Sequence, residues 1–201
     1  MTISIKNITS FEKESILKEV VFLVGAGFKS KFTKALFSEA EVEDVIYAFC
    51  HYIFTEKGEN LLIATQDEKV CGCLFLTSKA DSHRQFYHSI REYLAFSKRL
   101  KLIFLLSLLS HKPTSNERYI DFITVSPNFR GQGIGKKLLN HCIETFPKEQ
   151  ITLYVAKNNI GAYQLYQNLG FQVTEQENSI IMGILTGIKE WHKMEWIKWS
   201  G

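Results

Sequence analysis

The chain has 201 residues, 45% hydrophobic and 22% charged, a composition typical of a single globular α/β domain with its own core. The formal net charge of +3 suits an anionic ligand, but the basic residues are scattered, which argues against a nucleic-acid partner. The cysteines and histidines lack metal-site spacing, the N-terminus lacks an apolar signal core, and the most apolar run, residues 100–109, is about half a membrane span. We therefore expect no metal, no membrane insertion and a cytoplasmic location.

Hydrophobic periodicity in the first part of the chain predicts a strand, two helices and a β-hairpin. The first helix is expected to begin at Thr9-Ser10 and to be broken by Gly25-Ala26-Gly27. The turn at residues 66–69 separates the two hairpin strands. The predicted elements are a strand at residues 2–8, helices at 9–24 and 39–54, and strands at 61–65 and 70–77.

The second part of the chain begins after a helix-like and unusually apolar segment, residues 82–110, and then alternates strands and helices. Pro147 ends one of these helices, while Asn159 and Gly170 suit the N-cap and the C-terminal stop of the next. The predicted elements are a strand at 117–125, a helix at 133–146, a strand at 151–155, a helix at 159–169, and final strands from 171 and at 192–199.

A glycine-rich loop, Arg130-Gly131-Gln132-Gly133-Ile134-Gly135, joins the strand at 117–125 to the following helix. A helix N-terminus carries unpaired N–H groups and a partial positive charge, and glycines let phosphate oxygens approach those groups. Arg130, Lys136 and Lys137 add positive charge around the loop. The pattern therefore predicts a diphosphate-binding loop; a tight strand-to-helix turn without a ligand is the alternative.

Two common phosphate-binding motifs do not fit this loop. The nucleotide P-loop requires a glycine at the position of Arg130 and a serine or threonine at the position of Lys137. The dinucleotide fingerprint requires its third glycine at the position of Lys136 or of Leu138. These mismatches argue against nucleotide hydrolysis and against dinucleotide binding.

The segment V-S-P-N-F-R-G-Q-G-I-G, residues 125–135, resembles the acetyl-CoA-binding motif Q/R-x-x-G-x-G/A of the GNAT family of N-acetyltransferases. Cys71-Gly72 stands where the family usually has Val-Gly in its third strand. The resemblance covers residues 60–77 and 117–171 well, and the first third of the chain only in the order of its elements. The family's second signature is matched by Asn159, Ala162, Leu165-Tyr166 and Gly170-Phe171.

The resemblance implies an α/β GNAT fold in one domain, residues 1–201, with a helical insertion at 80–116 before the fourth strand. In this fold a mixed, mostly antiparallel twisted sheet is flanked by helices and splays between strands 4 and 5. The pantetheine arm of acetyl-CoA, the implied cosubstrate, enters the splay beside the fourth strand, and the glycine loop holds the pyrophosphate. The implied coenzyme-binding residues are Ile123, Val125, Arg130, Gly131, Gln132, Gly133, Ile134, Gly135, Lys136, Asn159 and Tyr166.

The resemblance also implies direct attack of a neutral amine on the thioester, which requires a proton acceptor, oxyanion stabilisation and a proton donor. It places the donor on Tyr166, since a phenol is protonated at neutral pH; a purely core-packing Tyr166 is the alternative. Asp121 is a candidate base, as are Glu117 and, through water, Tyr119, because the odd-numbered residues of strand 117–125 share one face. A solvent-exposed strand charge is the alternative for Asp121.

The implied activity is acetyl transfer to a primary amine; the alternative is an inactive GNAT-fold protein that binds acyl-CoA as a sensor or scaffold. We expect a small-molecule amine rather than a protein as acceptor, because no recognition groove of one charge is evident. The spacing of the apolar residues at 86, 90, 93 and 94 predicts an amphipathic helix at 82–97. The insertion at 80–116 has three interpretations: core packing on the first two helices, a lid over the acceptor end of the splay, or a homodimer interface.

Overall fold

The computed structural model describes residues 2–33, 36–80 and 85–197, which form seven strands and seven α-helices. The strands are β1 Ile3–Asn7, β2 Leu61–Gln66, β3 Lys69–Ser78, β4 Glu117–Val125, β5 Gln150–Ala156, β6 Phe171–Asn178 and β7 Glu190–Trp196. The helices are α1 Lys13–Thr33, α2 Glu39–Glu56, α3 Phe86–Ile90, α4 Phe96–Leu109, α5 Ile134–Thr145, α6 Ile160–Asn168 and α7 Ile180–Thr186. Among these described residues, no helix combines the length and apolarity needed to cross a bilayer.

All seven strands form one sheet in the order β1-β2-β3-β4-β5-β7-β6. Every neighbouring pair is antiparallel except β4 and β5, which are parallel. Helices α1 and α2 cover one face of the sheet, with a core that includes Val45, Ile53 and Ile63. Helices α5 and α6 cover the other face, around Leu138 and Phe171. This is the mixed, mostly antiparallel sheet that the sequence predicts.

Strands β4 and β5 pair over only half of their length. The parallel register runs from Glu117 opposite Gln150 to Ile120 opposite Leu153. Beyond that point β4 pairs only with β3, and β5 pairs only with β7. The two strands thus diverge and leave a gap between residues 121–125 and 154–156, which confirms the predicted splay.

A β-bulge at Asp121 overturns the prediction that the odd-numbered residues from 117 to 125 share one face. Phe122 pairs with Phe75, while Ile120 pairs with the adjacent Leu76, so Asp121 is one extra residue inserted between these two pairs. An inserted residue reverses the alternation of side chains beyond it. Phe122 therefore packs with the α1–α2 core, and Ile123, like residue 125, packs with the α5 core.

Helix α1 continues through the glycines that were expected to break it. A Cβ atom built on Gly27 would lie 2.7 Å from Thr124 Oγ1, and one on Gly25 would lie 3.8 Å from Ile46 Cδ1. Gly27 allows α1 to approach β4 closely, so burial on the sheet stabilises the helix against the low helix propensity of its glycines. The prediction of a break at residues 25–27 was therefore wrong.

The insertion is helical, as predicted, but the amphipathic helix predicted at residues 82–97 is shorter, α3, and the apolar part of the segment forms α4. Residues 82–84 lie outside the described part. The apolar residues of the insertion divide between core and surface. The ring centroids of Phe86 and Tyr52 lie 4.8 Å apart, and Leu102 and Leu105 are fully buried. The core-packing interpretation therefore holds for these three residues, while homodimer formation stays a prediction. The exposed apolar residues of α4 include Phe96, Leu100 and Phe104.

Helix α7, which connects β6 to β7, was missed from the sequence. The Ser179 hydroxyl accepts a hydrogen bond from Met182 N, and Gly187 ends the helix in the left-handed conformation at φ 79°. A serine N-cap and a glycine stop are local signals that were available in the sequence. The last strand begins at Glu190 instead of the predicted residue 192, and its predicted end at Trp199 lies outside the described residues.

Candidate functional site

The gap between β4 and β5 opens into a cleft of about 860 Å³, within the range of small-molecule and cofactor sites. The glycine loop and the first turn of α5 lie at one end of the cleft, and Asp121 and Tyr154 lie at the other. Helix α6 forms one side wall. Of the predicted coenzyme-binding residues, those lining the cleft are Ile123, Val125, Arg130, Gly131, Gly133, Ile134, Gly135, Lys136, Asn159 and Tyr166.

The three glycines of the loop have different structural roles. Gly131 and Gly133 adopt left-handed backbone conformations, at φ 78° and 77°, that favour glycine. No atom lies within 4 Å of a Cβ built on either residue, so their α-carbons face open space. A Cβ on Gly135 would lie 3.2 Å from Leu165 Cδ2, so this glycine serves the packing of α5 against α6.

The loop ends at an open helix N-terminus. The first helical hydrogen bond of α5 runs from Lys137 N to Gly133 O at 3.0 Å. The amides of residues 134–136 precede this bond and belong to the first turn, whose N–H groups have no intrahelical partner. These N–H groups, together with the partial positive charge of the helix end, can bind a diphosphate at the cleft's end.

Gln132 differs from the other predicted coenzyme contacts in its position. Its Nε2 donates to Asn128 O at 3.4 Å, the side chain is exposed, and the residue does not line the cleft. Arg130 Nε donates a hydrogen bond to Val125 O at 3.4 Å. This bond places the guanidinium beside the part of β4 that does not pair with β5. The positive charge of the loop therefore comes to the cleft through Arg130 and Lys136.

Tyr166 lies in the cleft wall on α6, with only 6% of its surface exposed. Its ring packs against Phe171 with a centroid separation of 5.9 Å. Burial raises the pKa of its hydroxyl to about 12, so the phenol is protonated at neutral pH. Tyr166 therefore packs in the core, while its role as the proton donor stays a prediction.

A second hollow, which we call the acceptor pocket, adjoins the inner end of the cleft and has a volume of about 310 Å³. The cleft and the pocket share Phe28, Asp121, Phe122, Tyr154 and Trp191. The end of α4 reaches the pocket through Leu106, Leu108 and Leu109, whereas Phe86 and Tyr87 do not line it. The part of the insertion that can act as a lid is therefore its C-terminal end.

The three candidate bases on β4 have different surroundings. Asp121 is exposed at the bulge, where the cleft and the pocket meet. Glu117 is 3% exposed and both of its oxygens accept hydrogen bonds, from Thr152 Oγ1 at 2.6 Å and from Thr114 N at 2.9 Å. Burial raises the pKa of Tyr119 well above its usual value, so its hydroxyl stays protonated. Among these three, only Asp121 offers a carboxylate at the junction.

The acceptor pocket also contains polar side chains that the sequence analysis did not single out. The Tyr154 hydroxyl donates to Glu177 Oε1 at 2.7 Å. His111, from the loop after α4, lies 2.7 Å from Glu117 through Nε2. No motif spacing identified these residues, because they come from separate segments that only the fold brings together. Within the described ranges, no cluster of histidine, cysteine, aspartate and glutamate has the arrangement of a metal site.

Comparison with known proteins gives one consistent result. A family model described as Acetyltransferase (GNAT) family matches residues 28–171. The uncharacterised N-acetyltransferase of Methanocaldococcus jannaschii is 39% identical over 70 residues, 33% of this chain and 29% of that protein. The spermine/spermidine N(1)-acetyltransferase of Bacillus subtilis is 36% identical over 58 residues, 27% of this chain and 38% of that protein. The chain thus spans less than half the length of both curated relatives.

A solved structure matches over almost the whole chain. The N-acetyltransferase from Staphylococcus aureus Mu50 superposes with a TM-score of 0.67 at 21% identity, covering 96% of this chain and 99% of that one. At this identity the similarity shows a common fold. It extends over the final strands, whereas the family model ends at residue 171.

Proposed function

Because the chain belongs to the acetyltransferase (GNAT) family, we propose that it transfers the acetyl group of acetyl-CoA to a primary amine. The observation that carries this proposal is the junction of the cleft and the acceptor pocket at Asp121 and Tyr154. A thioester at the inner end of the cleft would lie beside an amine bound in the pocket. Such proximity replaces a bimolecular encounter by a reaction between oriented groups.

The coenzyme would bind along the splay with its pyrophosphate at the glycine loop. The open space over Gly131 and Gly133 and the free amides at the start of α5 support this placement. The unpaired edge of β4 at Ile123 and Val125 offers backbone groups to the amides of the pantetheine arm, as an added strand would. Asn159 caps α6 through a hydrogen bond from Ala162 N, so its contribution to binding would be structural.

The chemistry would begin with attack of the amine nitrogen on the thioester carbonyl. The tetrahedral intermediate then collapses, the C–S bond breaks, and the departing sulfur needs a proton. We assign that proton to Tyr166, whose buried hydroxyl lies in the wall of the cleft and is protonated at neutral pH. The products are the N-acetylated amine and free coenzyme A.

For the acceptor we propose a small-molecule amine that enters the pocket as a cation. Aromatic rings of Phe28, Phe49 and Trp191 line the pocket and can contact a cation through their π faces. Asp121 and Glu177 add negative charge, and we assign Asp121 the binding of the acceptor ammonium at the junction. The amine named for the Bacillus subtilis relative, a polyamine, has this chemistry. The pocket's small volume supports a small acceptor.

The four cysteines support the proposal of a cytoplasmic location. All four are free and buried, and burial raises the pKa of the Cys50 and Cys142 thiols to about 12. Buried, unreactive thiols without disulfides are typical of proteins in reducing compartments.

A thiol-release assay with acetyl-CoA and a panel of amines tests the proposed activity. We expect coenzyme A release that depends on an amine, together with mass spectrometry that shows the acetylated amine. A panel of polyamines, aromatic amines and a lysine-containing peptide separates small from peptide acceptors. Tight acetyl-CoA binding without amine-dependent thiol release would instead support the inactive sensor or scaffold.

A further inference from the structure

Glu117 is a buried carboxylate whose three partners come from β5 and from the loop between α4 and β4. Thr152 on β5 donates to Oε1 at 2.6 Å, and the backbone N–H of Thr114 donates to Oε2 at 2.9 Å. His111 Nε2 lies 2.7 Å from Oε1. Thr152 is itself fully buried, so the carboxylate is fixed in a water-poor site at the start of β4.

The charge of Glu117 determines which nitrogen of His111 carries a hydrogen. Burial raises the pKa of Glu117, but the hydrogen bonds from Thr152 and Thr114 and the neighbouring His111 outweigh it, and the pKa lies below its usual value. An ionised carboxylate can only accept hydrogen bonds. His111 Nε2 must therefore donate, which leaves Nδ1 of the neutral ring as the proton acceptor.

The imidazole of His111 lies in the wall of the acceptor pocket. Its ring centroid is 4.9 Å from that of Tyr119 and 5.7 Å from that of Tyr154. Tyr154 also lines the coenzyme cleft, so one aromatic ring separates the imidazole from the place where the two hollows meet. The side chain of His111 is 18% exposed and that of Glu117 is 3% exposed, so the acid is hidden and the imidazole accessible.

We propose that His111, held by Glu117, is the general base that removes a proton from the acceptor ammonium. This assignment rests on the acetyl transfer proposed above. The ammonium loses two protons in the reaction: His111 takes the first and frees the nitrogen to attack the carbonyl carbon. The second leaves the nitrogen as the C–S bond breaks and replaces the proton that Tyr166 gives to the thiolate. His111 then releases its proton to water.

Other ionisable groups surround His111. Strand β4 contributes Tyr119 and Asp121 besides Glu117, and Tyr154 and Glu177 come from β5 and β6. Burial raises the pKa of both tyrosines, so they are neutral at physiological pH. Lys193 on β7 interacts with Glu117, Glu175 and Glu195, and Lys112 follows His111 in the chain.

The kinetic test compares His111→Gln, Glu117→Gln and the control His88→Gln over a range of pH. We expect His111→Gln to lower kcat by about 10²–10⁴-fold and to abolish the acid limb of the kcat/KM profile. Glu117→Gln should lower kcat by about 10–100-fold and move the limb to lower pH, because the anion that stabilises the imidazolium is lost. His88 is an exposed histidine on α3 outside the pocket, and its substitution should change nothing.

A measurement that needs no turnover tests the same assignment in the wild-type protein. Nitrogen-15 NMR of the histidine rings, assigned with His111→Gln, should show neutral His111 with its hydrogen on Nε2. A hydrogen on Nδ1, or a His111→Gln variant that is folded and retains wild-type kcat with its acid limb, would overturn the proposal. Since the NMR result does not depend on an acceptor, failure of the histidine assignment and failure of the acetyl transfer give different outcomes.

Discussion

The coenzyme cleft and the acceptor pocket adjoin along β4 but are built from different parts of the polypeptide. The cleft presents mainly backbone: two left-handed glycines, the amides at the start of α5 and the unpaired edge of β4. The pocket presents side chains, among them His111, Asp121 and Glu177. A backbone site binds its ligand whatever the neighbouring side chains are, whereas a side-chain site changes with each substitution. The first arrangement suits a constant donor and the second a variable acceptor.

The largest effect is expected from a substitution in the glycine loop, which disrupts the backbone-built cleft. Gly133→Asp places a side chain and a negative charge in the open space above the loop, at a backbone φ of 77° that disfavours any side chain. Loss of two charge-assisted hydrogen bonds, each worth about 1.5–3 kcal/mol, should weaken acetyl-CoA binding by about 10²-fold or more. Isothermal titration calorimetry measures the change.

Gly187→Asp is the matched control for that substitution. Gly187 has a similar φ of 79° but lies at the end of α7, outside the coenzyme cleft. This variant should carry the same backbone strain and bind acetyl-CoA as tightly as the wild type. Equal losses in the two variants would show that strain alone, and not the position of Gly133, accounts for weaker binding.

Tyr166→Phe sharpens the comparison, because it changes a side chain within the backbone-built cleft. The ring and its packing on Phe171 are retained, and only the hydroxyl is removed. We expect kcat to fall by about 10²-fold while the Kd for acetyl-CoA stays constant. A loss confined to KM would make Tyr166 a positioning residue instead of the proton donor.

Glu117→Gln tests whether the pocket depends on charge for its stability. The pKa of Glu117 is lowered in the folded protein, so its contribution is present above the unfolded value near 4.5 and is lost as pH falls through the folded value. The variant should lose about 1–3 kcal/mol at neutral pH, since a buried hydrogen-bond network is disturbed. Its Tm should also fall less steeply than that of the wild type between about pH 5 and 3. An equal fall of Tm with pH in the two proteins over this range would contradict the expectation.

The smallest effect concerns the apolar end of the insertion. Leu108 is 36% exposed and lines the acceptor pocket, so Leu108→Ala should raise the acceptor KM about five-fold, the equivalent of about 1 kcal/mol of lost apolar contact. Leu100→Ala is the control, because Leu100 is an exposed leucine of the same helix outside the pocket. Acetyl-CoA affinity should be unchanged in both variants. Equal acceptor KM values would remove the lid interpretation.

The two regions also differ in how well the sequence predicts them. The cleft could be predicted because a strand, a glycine loop and a capped helix follow one another within residues 117–171, and local signals such as Asn159 and Gly133 mark their boundaries. The pocket could not, because its side chains come from α1, α2, the end of α4 and the loop after it, four strands and α7. His111 has no distinctive neighbours in sequence; its partner Glu117 begins β4, and the Thr152 hydroxyl that donates to Glu117 lies on β5.

Errors of prediction arose where tertiary contacts override local patterns. The glycines of α1 suggested a helix end, but close packing on β4 requires them inside the helix. Helix α7 was missed although Ser179 and Gly187 delimit it, because the strand pattern on either side dominated the interpretation. For α1 the missing information was the surface against which the helix packs, whereas for α7 the local signals were sufficient.

The bulge at Asp121 interrupts the alternation of side chains along β4. This interruption determines which changes of sequence the strand can accept. Upstream of it, the even-numbered Ile120 packs with the α5 core; downstream, the odd-numbered Ile123 and Val125 do. Deleting Asp121 would join Ile120 directly to Phe122 and restore the simple alternation, with these two residues still opposite Leu76 and Phe75. A one-residue deletion at this position would therefore leave the packing of β4 on both cores in place and remove only the side chain at the junction of the cleft and the pocket. The bulge thus gives β4 one residue whose identity is independent of the core pattern on either side of it.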